Sequence, residues 1–297
     1  MINKNIAILM MGVFLVALSP AQAASKVELF HIHGLSYSSD GEKLFVPRHY
    51  GLAIYEKGKW RSAPGPQHDY MGFVGTRDRF YSSGHPAQGS GLVNPFGLMK
   101  SEDDGQQWQS LGMAGESDFH VLAASYDTNL LFLENLAPNS RIPFAGLATS
   151  DDEGKTFRRA AGRGATEAVT LAVHPLKPEQ VAMGGQEGLF LSTNRGDDFR
   201  QVKNTRGVYA LWYDLNGKDL WFGGSQFSPY LALLDLASGD SRALKIPRIE
   251  QDDAVAYIAQ NPVHQDEITI ATFQRHVFTS RDRGATWNQI AVFGETK

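Results

Sequence analysis

Short apolar segments separated by turn residues run along the whole chain after residue 23. Residues 169–173, 180–183 and 188–191, for example, are three successive apolar runs rich in β-branched and other strand-forming residues. Four such runs, with turn residues between them, fill about 45 residues before the pattern begins again. Helical periodicity is absent after residue 23, so the pattern predicts an all-β fold class.

One turn sequence recurs with this period. It reads Ser-x-Asp/Asn-x-Gly-x-x-aromatic and begins at Ser101, Ser150, Ser192 and Ser280. The copies are 49, 42 and 88 residues apart, and the last spacing is two periods, so one copy has diverged. Weaker copies lie at 55–60 and 234–239. The repeat therefore predicts a six-bladed β-propeller with four-stranded blades at 27–64, 65–112, 113–162, 163–203, 204–248 and 249–293.

The turn resembles the Asp-box, or BNR repeat, of sialidases, sortilin-type receptors and related exported propellers, which are often labelled glycosyl hydrolases. The resemblance covers four strong and two weak copies. Turn chemistry explains each position, because the Ser and Asp side chains bond to turn amides and Gly tolerates a positive φ. The resemblance implies that these turns lie at the lower, outer edge of the blades, and that ligands bind at the opposite, top face.

The first 23 residues have the pattern of a signal peptide. Lys4 precedes an apolar stretch at 6–18, and a small-residue site predicts cleavage after Ala23. The expected mature chain, residues 24–297, is one propeller domain that is periplasmic or secreted. Its apolar runs are too short to span a membrane. The chain has no cysteine, which excludes disulfides and thiolate chemistry.

The charge pattern excludes one class of partner. The chain has 28 Lys and Arg residues against 32 Asp and Glu, a net charge of −4, and it contains no run of basic residues. Binding to nucleic acid normally requires a basic patch, so no nucleic-acid partner is predicted.

Aligning the six units on their innermost strands predicts which side chains surround the top of the central channel. One position of the alignment holds His33, Met71, His120, Val169, Tyr209 and Ala256. The position two residues earlier holds His31, Asp69, Asp118, Glu167, Gly207 and Ala254. Side chains two residues apart share one face of a strand, so both sets are expected to face the channel.

Most histidines fall at the top face in this alignment. His49 and His85 follow the second strands of the first two units, and His68 and His276 also lie in top loops. Together with the three in the aligned positions, these make seven of the nine histidines. The other two, His174 and His264, are expected as exposed turn residues at the opposite face.

Imidazole, thioether and carboxylate groups that converge in this way suit a transition metal, with copper or zinc as candidates. His33, Met71 and His120 are the predicted inner ligands. The predicted outer ligands, or residues that orient the ligands, are His31, His49, His85, Asp69, Asp118 and Glu167. Arg275 is a further candidate for binding a polar ligand. The same residues are also compatible with a water-filled channel in which histidines hydrogen-bond to carboxylates.

Two other functions stay open at this point. A glycoside hydrolase would use two of Asp69, Asp118 and Glu167 as acid and base. Sialidases, however, carry an Arg-Ile-Pro motif before the first Asp-box, whereas residues 141–143 lie in the third unit. A protein-binding or assembly propeller would use its top-face aromatic residues and the long loops at 86–96 and 136–144. The sequence fixes neither the ligand nor the oligomeric state.

Overall fold

A computed structural model describes residues 27–297, so the predicted signal peptide lies outside the described residues. Within this range every regular element is a β-strand, and six antiparallel sheets form a ring. The prediction of an all-β, six-bladed propeller is confirmed. No helix in this part of the chain has the length and apolar character needed to cross a membrane.

Blades 1 to 3 follow the predicted units closely. Blade 1 contains β1 (Ser36–Tyr37), β2 (Lys43–Arg48), β3 (Gly51–Glu56) and β4 (Lys59–Ser62). Blade 2 contains β5 (Asp69–Gly75), β6 (Phe80–His85), β7 (Leu98–Ser101) and β8 (Gln109–Gly112). Blade 3 contains β9 (Leu122–Ala124), β10 (Leu131–Asn135), β11 (Gly146–Ser150) and β12 (Arg158–Arg159).

Blades 4 to 6 complete the ring. Blade 4 contains β13 (Thr170–Val173), β14 (Val181–Gly185), β15 (Gly188–Ser192) and β16 (Arg200–Gln201). Blade 5 contains β17 (Val208–Tyr213), β18 (Asp219–Ser225), β19 (Pro229–Asp235) and β20 (Ser241–Ala243). Blade 6 contains β21 (Val255–Gln260), β22 (Ile268–Thr272), β23 (Val277–Ser280), β24 (Asn288–Val292) and a fifth strand, β25 (Glu295–Thr296).

The first strand of each blade is innermost. These strands contact one another in order around the ring, and β21 of blade 6 contacts β1 of blade 1. Six apolar clusters, one for each pair of neighbouring blades, form the core of the described chain. Each sheet therefore buries both faces against its neighbours, as expected for a radial stack of blades.

The repeated turn joins the third and fourth strands of blades 2, 3, 4 and 6, at the bottom face. In blade 3, Ser150 Oγ accepts a hydrogen bond from the Gly154 N–H at 2.8 Å, and Asp152 Oδ1 accepts one from the Thr156 N–H at 2.9 Å. Equivalent bonds occur in the other three copies. Gly154 has a φ of 80°. The side chains of the turn are used within the turn itself, which supports a structural role.

The two ends of the described chain meet at blade 6. The Leu29 N–H donates to Gly294 O at 2.8 Å, and Thr296 Oγ1 donates to Val27 O at 2.5 Å. Val27 and Leu29 are buried in the apolar cluster between blades 1 and 6. The sequence did not predict β25, since the predicted sixth unit ends at residue 293. These contacts close the ring between the first and last blades.

We expect Leu29→Ala to weaken this closure. Leu29 is fully buried, so the substitution leaves a cavity and should lower the free energy of unfolding by about 2–5 kcal/mol. Phe30→Ala is the matched control, because Phe30 is adjacent in the chain but exposed. Equilibrium denaturation in urea measures both variants. A loss in Leu29→Ala no larger than in Phe30→Ala would contradict a role for this residue in closure.

Candidate functional site

A cavity of about 280 Å³ lies on the axis of the ring and opens at the top face, where the chain enters each first strand. The six aligned positions all line it: His33, Met71, His120, Val169, Tyr209 and Ala256. A second set of lining residues is apolar: Leu35, Phe73, Leu122, Leu171, Leu211 and Ile258. The histidines of the lining come from blades 1 and 3. The wall beneath them is uncharged and also includes Thr170, Trp212 and the tyrosines Tyr126, Tyr213 and Tyr257.

Three predicted site residues meet at the mouth between blades 1 and 2. His33 Nε2 lies 3.4 Å from Asp69 Oδ1, and His49 Nδ1 lies 2.8 Å from Asp69 Oδ2. One ligand atom from each residue lies within 4.8 Å of the other two. His33 Nε2 and Asp69 Oδ1 are buried, and neither makes a hydrogen bond. We call His33, His49 and Asp69 the mouth cluster.

Backbone contacts hold the mouth cluster in place. The His33 N–H donates to Pro47 O, and the His49 N–H donates to Phe30 O, so both histidines are fixed on the same edge of blade 1. Asp69 is the first residue of β5 and pairs with His85 of β6. A Cβ at Gly84 would lie 2.1 Å from Asp69 O, so only glycine permits this close pairing.

His31 lies beside the mouth cluster and is exposed. Its ring is parallel to that of His33, with centroids 6.0 Å apart, and its centroid lies 5.8 Å from that of His49. It has a φ of 50°, in the left-handed region that few residues adopt. A third imidazole is therefore available next to the mouth cluster.

A second group of predicted residues meets between blades 2 and 3. Asp118 Oδ2 accepts a hydrogen bond from His120 Nε2 at 2.7 Å and lies 3.1 Å from His85 Nε2. His85 Nδ1 in turn bonds to Asn94 Oδ1, at 2.7 Å, in the long loop of blade 2. The Phe119 N–H donates to Ser83 Oγ, which fixes the segment that carries Asp118. Two imidazoles thus share one carboxylate oxygen.

The two groups have opposite effects on histidine protonation. Burial lowers the pKa of His33, and the neighbouring imidazoles act in the same direction against the opposing charge of Asp69. The hydrogen bond that His120 donates to Asp118 raises the pKa of His120. Burial therefore favours the neutral form of His33, whereas Asp118 favours the cationic form of His120.

The structure divides the ligand set that the sequence predicts. His120 pairs with Asp118, not with His33, and Met71 lines the cavity on the neighbouring blade. Glu167 is exposed beside Glu134, and Arg275 lies in the β22–β23 loop with an unpartnered Nε. Equivalent positions on different blades are separated around the ring. Residues at the strand ends of adjacent blades come together instead.

Sequence reasoning missed two features of the top face. Burial and the charge of Glu167 raise the pKa of Glu134 in β10, a residue that the strand alignment did not consider. In blade 6, His276 Nε2 lies 3.0 Å from Glu250 Oε2, and Asp253 completes a second close group. Since His276 Nδ1 accepts a hydrogen bond from the Phe293 N–H, Nε2 carries the proton and is not free to bind a metal.

Two other histidines have structural roles. His68 is buried, and its Nδ1 accepts a hydrogen bond from the Ala87 N–H at 2.9 Å. His174 is also buried, so the prediction of an exposed turn residue is wrong. Its Nδ1 accepts from the N–H groups of Leu176 and Lys177, because the turn folds back onto its own side chain. His264 is exposed as predicted.

Comparison with known proteins identifies the fold. No family model and no curated protein matches the chain. The GH74 enzyme of Niastella koreensis superposes with a TM-score of 0.61 at 15% identity, over 90% of this chain and 46% of that chain. The GH74 xyloglucanase of Xanthomonas campestris gives a TM-score of 0.56 at 14% identity, over 91% of this chain and 46% of that chain.

A further solved structure, YCF48 bound to D1 peptide, has a TM-score of 0.51 at 14% identity, over 90% of this chain and 82% of that chain. At these identities the likeness establishes the propeller fold alone. The chain spans less than half the length of the two GH74 proteins.

The opposite shifts of His33 and His120 predict different titrations. We expect the His33 pKa to lie below the usual value of about 6.5 and the His120 pKa to lie above it. Asp118→Asn should lower the His120 pKa because it removes the charged acceptor. NMR titration of the imidazole Cε1–H resonances measures both, with Asp240→Asn, at the bottom face, as the control. An unchanged His120 pKa in Asp118→Asn would contradict this pairing.

The same pair affects stability. The folded-state pKa of His120 is raised, so its contribution is present below the unfolded pKa and is lost as pH rises through the folded value. The stability difference between wild type and Asp118→Asn should therefore be larger at about pH 5.5 than at about pH 8. His33 has the reverse sign, because its folded-state pKa is lowered and protonation below about pH 6.5 favours the unfolded chain.

Proposed function

We propose that this protein binds a transition-metal ion at the mouth of its central channel, through His33, His49 and Asp69. The observation that carries the proposal is the convergence of three ligand atoms within 4.8 Å, two of them buried and without a hydrogen-bond partner. A buried polar atom without a partner costs about 1–3 kcal/mol. A bound ion would satisfy His33 Nε2 and Asp69 Oδ1 together.

The distances fit such an ion. Metal–nitrogen and metal–oxygen bonds of about 2.0–2.1 Å at a tetrahedral angle place neighbouring ligand atoms about 3.3 Å apart. The two atom pairs in the mouth cluster are separated by 3.4 and 2.8 Å. The two pairs involve different oxygens of Asp69, so an ion bound by both imidazoles would be held by one or both oxygens of this carboxylate.

The donor set favours zinc or copper. Two imidazoles and one carboxylate suit either ion, and His31 supplies a further nitrogen beside them. The lowered pKa of His33 keeps its imidazole in the neutral form that binds a metal. His85, Asp118 and His120 would form a hydrogen-bonded group next to the ion. The predicted signal peptide and the Asp-box resemblance support an exported protein of this kind.

A glycoside hydrolase has less support from the geometry. Asp69 and Asp118 are each next to two imidazoles, and Glu167 is exposed at a different blade. Among the described residues, no Asp or Glu lines the central cavity, where a sugar would need two carboxyls across its bond. The GH74 neighbours share the fold with this chain over less than half of their own length.

Isothermal titration of the purified mature protein with Zn²⁺ and Cu²⁺ tests the metal site. We expect one equivalent to bind, and we expect His33→Ala and His49→Ala each to weaken binding at least about tenfold, because each removes a ligand. His264→Ala, an exposed histidine at the bottom face, is the matched control. Equal affinity in wild type and the double variant His33→Ala/His49→Ala would refute the site.

The distribution of exposed apolar side chains favours a second function, the binding of a protein segment at the top face. Nine of the eleven exposed large apolar side chains in residues 27–297 lie in top-face loops or turns: Phe30, Tyr50, Leu92, Val93, Leu136, Val169, Phe227, Phe273 and Phe293. Leu176 and Val263 lie at the bottom face. Exposed apolar surface concentrated in this way is typical of interaction sites.

Selection of a displayed peptide library on the purified protein tests this second function. We expect enriched peptides to carry apolar side chains and to lose binding to Phe227→Ser/Phe273→Ser, because these two residues are exposed at the top face. Leu176→Ser/Val263→Ser is the control at the bottom face. Enriched peptides whose binding depends on the bottom-face pair instead would show that the top face is not the docking surface.

A further inference from the structure

We propose that the central cavity beneath the mouth cluster binds an apolar group about the size of a substituted aromatic ring. The ligand of this protein would then have an apolar body in the channel and a metal-binding head at the mouth. The location of the head rests on the proposed metal site, whereas the location of the body rests on the cavity alone.

The walls of the cavity select against a charged body. None of its lining residues, all within the described part of the chain, is Asp, Glu, Lys or Arg. His33 and His120 are the lining side chains that titrate near neutral pH, and both lie at the top. Below them, each blade contributes an apolar side chain from its innermost strand. A charged group moved from water into these surroundings would find no opposite charge, whereas an aromatic ring would contact the apolar side chains of all six blades.

The size of the cavity sets the size of the body. An apolar cavity of about 150 Å³ is large enough to hold benzene. The cavity in this protein has a volume of about 280 Å³, which leaves room for a ring with a substituent or for a branched chain. Because the cavity opens at the mouth, such a group can enter without movement of a blade. The group would displace water that the apolar side chains of the wall bind weakly.

The mouth is asymmetric, and this orients the ligand. Among the lining residues, blades 1 and 3 present the imidazoles of His33 and His120, whereas blades 4 to 6 present Val169, Tyr209 and Phe273. The Tyr209 hydroxyl donates to Gln186 Oε1 at 2.6 Å, and its ring meets Phe273 edge to face with centroids 5.7 Å apart. The head of the ligand would therefore face blades 1 and 2, and an aromatic body would lie against this pair.

Three probes separate the two parts of the ligand: toluene as the body, imidazole as the head, and 4-phenylimidazole as both. We expect toluene to cause saturable methyl NMR shifts at Leu171 and Leu211 in the metal-free protein. We expect 4-phenylimidazole to bind the zinc-loaded protein at least about tenfold more tightly than imidazole, because its phenyl ring adds a contact with the cavity wall.

Val169→Trp is the blocking variant, because Val169 is exposed at the cavity mouth and a larger side chain there should not disturb the core. It should abolish the toluene shifts, whereas Leu176→Trp, an equivalent change at the bottom face, should leave them intact. Phe273→Ala, also exposed, should weaken binding of 4-phenylimidazole but not of imidazole. An unfolding midpoint close to that of wild type confirms that each variant is folded.

The outcomes distinguish this proposal from the metal site. Zinc binding without toluene shifts, and with equal affinities for imidazole and 4-phenylimidazole, would overturn the cavity proposal and leave the metal site standing. Toluene shifts that Val169→Trp abolishes, in a protein that binds no zinc, would support the cavity and refute the metal site. Toluene shifts that persist in Val169→Trp would also overturn the proposal, since the group would then bind elsewhere.

Discussion

Closure of the ring is the constraint on which the rest of the structure depends. The candidate site is built from strand ends of different blades, with His33 and His49 in blade 1 and Asp69 in blade 2. Its distances are fixed only if the innermost strands pack completely around the channel. The contacts of Leu29 and Thr296 between the two ends of the described chain provide that closure. The contacts at the junction of blades 6 and 1 therefore support the packing on which the distances within the candidate site depend.

The same cross-blade contact occurs twice and gives two different chemical groups. In both cases an Asp before or at the start of a first strand lies next to a histidine at the end of the preceding blade's second strand, His49 for Asp69 and His85 for Asp118. The third member differs. His33 is partly buried in the cavity wall, which lowers its pKa, whereas His120 is more exposed and bonds directly to Asp118, which raises its pKa. Burial and hydrogen bonding therefore shift the pKa values of these two histidines in opposite directions.

The sequence predicts the features that repeat. The spacing of the turn gives six blades, and strand alternation identifies six of the side chains that line the cavity, one from each blade. Contacts between blades are not encoded in any single repeat, so the contacts of Asp69 with His49 and of Asp118 with His85 could not be read from the alignment. The bulge in β5 between Met71 and Val74 also shifts the local register, which alternation alone does not anticipate. The burial of His174 has the same origin, since its turn packs against blade 5 through Gly217.

Hydrogen-bond satisfaction differs between the repeated turns and the mouth. In each repeated turn at the bottom face, the Ser and Asp or Asn side chains bond to turn amides, which stabilises the blade and leaves these groups unavailable for ligands. At the mouth, His33 Nε2, Asp69 Oδ1 and Asp118 Oδ1 are buried without hydrogen-bond partners. Buried groups without hydrogen-bond partners lower the stability of the free protein. Apolar side chains at the same positions would add stability, so the mouth carries polar groups that folding alone does not require.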